Sequence, residues 1–561
     1  MHAPLPWRTR RRRVASLLSG TVIAALLLAG CGASSASNDP SDTGASGEPQ
    51  AGGTLTVAFR SDDTSKTTLD PIQQQWLEHR TVLRNVVESL TDQDPDTGEI
   101  KPWLATSWEI SDDQLTYTFS LREGITFSNG EKFDANAVKT SFDSNLAVIT
   151  EQPATFGYTY LAGYKSSEVI DDHTIALTLE EPNAAFLQAL STVTLGILAP
   201  ASYAADVSER NLGTALWGTG PYVIESYTPD VGISLVKRDD YVATTELAEN
   251  QGPAYLDRVE VVYIPEDTVR VGSLQSGEVD VAAPRNPFAA TDIDLLKAND
   301  IEFTSFSLPG TIEAYYPKVT DGPLTDKNVR LAVQAAIDRT TYASTVFGAD
   351  YPVAQGVYDV STPYFKDESS KLTYDPDKAK ELLDEAGWTV GADGYRVKDG
   401  QVLEIVYPVT SESTGDLLVQ DQLRQVGIKF TLQVLTSGEQ SDAVSNGEWN
   451  ITRGVLTRGD PSILGSILDT RISRSPARAE WGVPADVQSK LQELLDAGLA
   501  TTDDDARRAA YEEVQDLLLD EALLFPVFER VQQVGYRPDV HGIVFTAEGF
   551  IDFRSTWVEQ G

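Results

Sequence analysis

A single cysteine, Cys31, stands in 561 residues, which excludes an internal disulfide. Histidine is nearly as scarce. Beyond the first thirty residues only His79, His173 and His541 occur, too far apart for metal-ligand spacing, so no metal is expected. The enzyme signatures H-E-x-x-H, G-x-S-x-G and G-x-x-x-x-G-K-[ST] are absent. The S-x-x-K from Ser234 to Lys237 lies in an alternating stretch, where its two ends point to opposite faces of a strand and cannot form a nucleophile–base pair. No catalytic residue and no cofactor is expected. Bases are in deficit: 44 Lys and Arg stand against 84 Asp and Glu, a net charge of -40. Five arginines lie in the first thirty residues, so a chain starting at Cys31 would carry 44 - 5 = 39 bases against the same 84 acids, or -45. Such a surface repels nucleic acid and anionic lipid headgroups. With so many carboxylates, pairs such as Asp112-Asp113 and Asp239-Asp240 read as turn residues. No internal repeat is visible.

The length allows three or four domains of chain, and a hydrophobic fraction of 41% is ordinary for a folded protein. Residues 1–30 read as an export signal. Arg8 and Arg10 to Arg13 form a positive start, and Val14 to Ala29 an apolar run short for a membrane span. Leu28-Ala29-Gly30-Cys31 resembles the bacterial lipobox, which implies a diacylglyceryl group on the Cys31 thiol and attachment to the membrane through that lipid. Residues 31–52, rich in Ser, Gly, Ala, Asp and Pro, read as a flexible tether of roughly 25 Å.

From Lys101 to Asp143 the chain reads KPWLATSWEISDDQLTYTFSLREGITFSNGEKFDANAVKTSFD. Leu115, Tyr117, Phe119 and Leu121 alternate with polar residues, the pattern of a strand with one buried face. Asp112-Asp113, Glu123-Gly124 and Asn129-Gly130 supply turns, and Asp134 caps a helix bearing Val138 and Phe142. Further on, Gly53 to Phe59 predicts a strand, Val82 to Leu90 a helix and Asn328 to Asp338 an amphipathic helix. Asp375-Pro376 starts a helix that Gly387 ends. Leu417 to Val426 and Asp503 to Leu519 read as helices. Ile428 to Val434 and Leu524 to Val534 read as strands. The alternation of helix and strand predicts an α/β fold.

The wording of the Lys101–Asp143 stretch resembles family 5 of the extracellular solute-binding proteins, the oligopeptide-, dipeptide- and nickel-binding receptors of bacterial ABC importers. Leu69-Asp70-Pro71 matches that family's "LDP", Gly218 to Tyr222 its "GTGPY", Asp267 to Asp280 its "R-x-x-x-L-x-S-G-E-V-D", and Pro323 to Thr340 its "PL-x-D-x-x-VR-x-A-x-x-x-AIDR". The resemblance implies a two-lobed periplasmic-binding-protein type II fold with an extra inserted subdomain in the first lobe. On that basis residues 53–89, 183–300 and 524–561 form lobe I, 90–182 the insertion and 301–523 lobe II. The resemblance also implies a solute trapped by hinge closure and delivered to permease subunits driven by a cytoplasmic ATPase, at the extracytoplasmic face of the bacterial membrane. The competing readings are a sensor presenting its solute to a signalling partner and a secreted hydrolase, which the missing motifs disfavour.

By the same resemblance, the ligand-facing loops supply Gln75, Trp76 and Glu78; Phe156 and Tyr158; Arg285 and Asn286; Tyr315, Tyr316 and Lys318; and Arg453, Thr457 and Arg458. The sequence departs from the family at one point. Peptide-binding branches carry an Asp three residues before an acidic-Pro pair, where it holds the peptide ammonium. Here the pair is Asp460-Pro461 and the position is Thr457, bracketed by Arg453 and Arg458. A hydroxyl brings no charge to a desolvated site. The two arginines suit an anionic group, and Glu78 is then a candidate for any ligand ammonium.

Overall fold

The computed structural model describes residues 48–60, 68–152, 155–469 and 483–560. The signal, Cys31 and most of the tether lie outside them. Thr54–Phe59 is central to a seven-stranded sheet ordered Glu302–Ser307, Val531–Tyr536, Val281–Ala283, Thr54–Phe59, Arg258–Tyr263, Gly232–Lys237, Tyr222–Thr228. It runs parallel to both its neighbours. Leu55, Val57 and Phe59 enter one core and Ala58 another, as expected of a strand covered on both faces. Ser234 bonds Glu260 and Lys237 pairs with Asp257, each apart from the other.

Beside this sheet lies a four-stranded antiparallel one, ordered Ala105–Ile110, Thr116–Leu121, Thr174–Leu179, Tyr164–Asp171. Tyr117, Phe119 and Leu121 are buried while Ser120 is exposed, so the period of two translates directly into one inner face. The helix Ala135–Glu151 starts where the Asp134 carboxylate accepts from the Ala137 N–H at 2.9 Å.

The second lobe holds a three-stranded sheet of Ile451–Gly454, Glu313–Pro317 and Phe525–Phe528. Its βαβ unit joins the parallel strands Glu404–Val409 and Lys429–Val434 through the helix Thr414–Gln425. Asp375 caps Pro376–Glu385, and Gly387 ends it at φ +83°. The chain crosses between the large sheet and this smaller one twice, at residues 308–312 and at Glu529-Arg530. The two crossings touch where Leu308 N–H donates to the Arg530 carbonyl at 2.9 Å. Among the described residues no helix is long and apolar enough to cross a membrane.

Two expectations are corrected. The helix expected over Val82–Leu90 runs instead over Leu77–Arg84. Val86, Val87 and Leu90 are buried as their spacing suggested, but tertiary partners take over the backbone: Gly220 N–H donates to Val86 O and Tyr222 N–H to Asn85 O. Leu524–Val534 is two strands in two sheets, broken at Glu529-Arg530 because that pair lies on the crossing; Phe525–Phe528 therefore joins the second-lobe sheet rather than lobe I, and Glu302–Ser307 the large sheet rather than lobe II.

Candidate functional site

On the first lobe, the loop after Leu69-Asp70-Pro71 leads into the helix Leu77–Arg84, and the strand Val281–Ala283 delivers Arg285 beside it. Arg285 grips the buried Glu78 with two parallel hydrogen bonds, Nε to Oε1 at 3.1 Å and Nη2 to Oε2 at 3.0 Å. The same guanidinium lies 4.3 Å from the Trp76 ring centroid. A planar cation held by a carboxylate and an aromatic face is fixed in orientation. His79 follows, against Tyr227 and Tyr263; burial and then the Arg285 charge push its pKa down to about 4, so it is neutral near pH 7.

Phe156 and Tyr158 are brought to this loop by Gly157, whose N–H donates to Ile72 O at 2.9 Å. A Cβ at Gly157 would lie 2.3 Å from the Ile72 side chain, so only glycine permits the approach. Phe156 packs on the Arg80 guanidinium at 5.1 Å and on Tyr160 at 5.5 Å. Gln75 and Asn286 are exposed.

The second lobe contributes Ile451–Gly454 and the turn after it. Arg453 donates from Nε to Glu313 Oε1 at 2.6 Å and lies 3.6 Å from Asp416. It is held between the rings of Tyr315 and Phe528. Arg458 reaches the first lobe and its insertion, donating from Nε to Gln188 Oε1 at 2.8 Å and covering Tyr160 at 4.7 Å. Thr457 Oγ1 accepts from Arg530 Nη1. Burial would raise Asp460, but Arg507 and Arg458 outweigh it and hold the carboxyl below its ordinary range.

The structure thus brings Trp76, Glu78 and Arg285 together, and places Arg453, Thr457 and Arg458 along one edge of the second lobe. It commits Tyr315, Tyr316 and Lys318 to packing. Tyr315 donates to Asp416 in one core, Tyr316 faces another, and Lys318 donates to Gly447 O at 2.7 Å and pairs with Asp321 at 2.9 Å. Adjacent strand residues face opposite ways, so Tyr315 and Tyr316 serve different sides of their sheet.

Sequence reasoning missed Arg530, Gln188 and Gln93. For Arg530 there was a signal: the charged pair Glu529-Arg530 interrupts the run LFPVFERVQQV. The glutamines carried none, because they act only through a partner far away in sequence. A cavity of about 260 Å³ opens between the lobes, lined among others by Arg270, Asn286 and Phe288 from the first and by Ser413, Thr414 and Arg453 from the second. Polar and aromatic groups converging from two lobes on a shared space describe a binding cleft.

The model of bacterial extracellular solute-binding proteins, family 5 (middle region), matches residues 99–465. The chain belongs to this family. It is a binding protein rather than an enzyme. Over 536 residues it is 26% identical to a probable di/tripeptide-binding protein 5 of Pseudomonas aeruginosa, covering 91% of this chain and 97% of that one. It is 27% identical to the glutathione-binding protein GsiB of Escherichia coli K12, over 82% of this chain and 86% of that one. The structure of NikA from Brucella suis in complex with Fe(III)-EDTA matches with a TM-score of 0.77 and 26% identity, over 90% of this chain and all of the other.

Proposed function

We propose that this chain is the lipid-anchored receptor of an ABC importer, which captures a peptide or peptide-like solute outside the membrane and hands it to permease subunits. The observation that carries this is a cavity between the lobes, with Asn286 on one wall and Arg453 on the other, together with a preformed set of side chains on each lobe. Trp76, Glu78 and Arg285 stand on one lobe and Arg453 and Thr457 on the other, about the two crossing segments. A lobe can rotate about two short crossings at small cost, and a solute touching both lobes selects the closed arrangement. Gln75, Phe156, Tyr158 and Asn286 belong to the proposed lining; Glu78, already paired with Arg285, would accept a ligand ammonium only on its remaining lone pairs. The di/tripeptide- and glutathione-binding relatives support a peptide-like cargo.

Mass spectrometry of what co-purifies with the protein, followed by calorimetry and solution scattering with that compound, tests the reading. Unchanged recovery of the compound and compaction of the protein are expected. Chemical conversion of the compound, or identical scattering with and without it, overturns it.

A further inference from the structure

Arg530 differs from Arg285, Arg453 and Arg507 in lacking a carboxylate partner. Arg285 has Glu78 at 2.9 Å, Arg453 has Glu313 at 2.6 Å, and Arg507 has Asp460 at 3.1 Å. Among the described residues Arg530 has no ion pair; the Thr457 hydroxyl is its hydrogen-bond acceptor. The nearby acids are engaged elsewhere. Glu313 holds Arg453, and Asp359 is bound up with Glu529. Burial pulls the Arg530 pKa below its ordinary value, opposed by Glu313 and Asp359 and reinforced by Arg285. A half-buried guanidinium without a counter-charge is costly, because one hydroxyl replaces only part of its lost hydration. The backbone nonetheless holds it in place. Its carbonyl is tied to Leu308 N–H, and its hydroxyl partner Thr457 bridges to Gly310, where a Cβ would lie 2.1 Å from Leu456 O. Both crossings and the second-lobe turn are thus arranged around one uncompensated cation that keeps partial exposure.

We propose that Arg530, with the Thr457 hydroxyl and the neighbouring Arg285, forms an anion-recognition position in the cleft, and that the solute presents a carboxylate there. This rests on the solute-binding reading above and adds the ligand's charge. The planar fork of Arg530 suits a carboxylate, and Thr457 orients it by occupying one of its nitrogens. A bound carboxylate supplies the missing counter-charge, which makes closure more favourable with the anionic ligand than with a neutral analogue.

The test uses wild type, Arg530→Gln and Arg530→Lys. Each is titrated calorimetrically with a panel of tripeptides as free acids, with the same tripeptides as C-terminal amides, and with citrate. In wild type, free acids or citrate should bind at least tenfold more tightly than the amides. Arg530→Gln should erase that preference and Arg530→Lys should retain part of it. Melting of the ligand-free protein is the second readout: Arg530→Gln should match or exceed wild type, since it removes an unpaired buried charge. Equal binding of acids and amides by wild type, an acid preference that survives in Arg530→Gln, or a markedly lower melting temperature for that variant overturns the anion position alone. If no free acid, amide or citrate binds wild type, the receptor reading for peptide-like solutes fails with it.

Discussion

Arg458 and Gln188 meet across the cleft, the guanidinium donating from Nε to the amide oxygen at 2.8 Å. The Gln188 amide donates in turn to Gln93 Oε1 at 3.3 Å, and Gln93 Nε2 donates back to Gly459 O at 2.8 Å. Gln188 of the first lobe and Gln93 of the inserted region therefore clasp the Arg458-Gly459 turn of the second lobe. A hydrogen bond to a charged group contributes about 1.5–3 kcal/mol. Gln188→Ala should shift the ligand-free protein towards an open form, seen as a larger radius of gyration in solution scattering, and weaken ligand binding about tenfold. A scattering curve and affinity equal to wild type would show that the clasp does not hold the lobes.

Glu529 and Asp359 form a second pair, at the crossing itself. Val360 N–H donates to Glu529 Oε2, and Asp359 N–H to the Gly310 carbonyl on the other crossing. Arg530 and Tyr351 also lie against them. Burial first, and then the Asp359 charge, push the Glu529 pKa up to about 10. The folded pair keeps a proton that the unfolded chain releases above the ordinary carboxylate range. Its contribution to stability is complete below about pH 4.5 and is lost as pH rises towards 10. Glu529→Gln has no such proton to lose. Its denaturation midpoint should therefore rise relative to wild type across that window, measured by urea melts at several pH values. A difference that stays constant with pH would show that the pair does not hold the proton.

Gly218 and Gly220 pack directly on backbone. A Cβ on Gly218 would lie 2.0 Å from Val86 O, and one on Gly220 2.7 Å from it. Neither residue has positive φ, so close approach alone imposes glycine. Gly218→Ala should cost about 1–3 kcal/mol, at the upper end because backbone cannot move aside as a side chain does. Chemical denaturation reads this directly, with Gly272→Ala, where a Cβ meets nothing within 4 Å, as the control.

Cys31→Ala should leave the protein soluble or unprocessed. Each buried CH₂ of a lipid chain contributes about 0.8 kcal/mol of membrane affinity. Fractionation of cells making the variant checks it, and a processed variant still found wholly with membranes would refute the anchor.

The sequence by itself determined the local elements and the family. Alternation at Tyr117, Phe119 and Leu121, the caps at Asp134 and Asp375 and the stop at Gly387 depend only on neighbours a few residues away, so they are legible one stretch at a time. What only the tertiary structure decided is where distant segments meet. The Val82–Leu90 pattern looked helical because its residues are apolar at helical spacing, yet Gly220 and Tyr222 donate to the carbonyls of Val86 and Asn85, which the next helical turn would need, and the helix stops at Arg84. Leu524–Val534 looked like one strand because side-chain alternation cannot tell which sheet receives each half. The assignment of charge in the cleft was hidden for the same reason. Arg453, Arg458 and Arg530 are alike in sequence, and only their partners, Glu313, Gln188 and Thr457, each more than 70 residues away, distinguish a neutralised arginine from one left without a counter-charge.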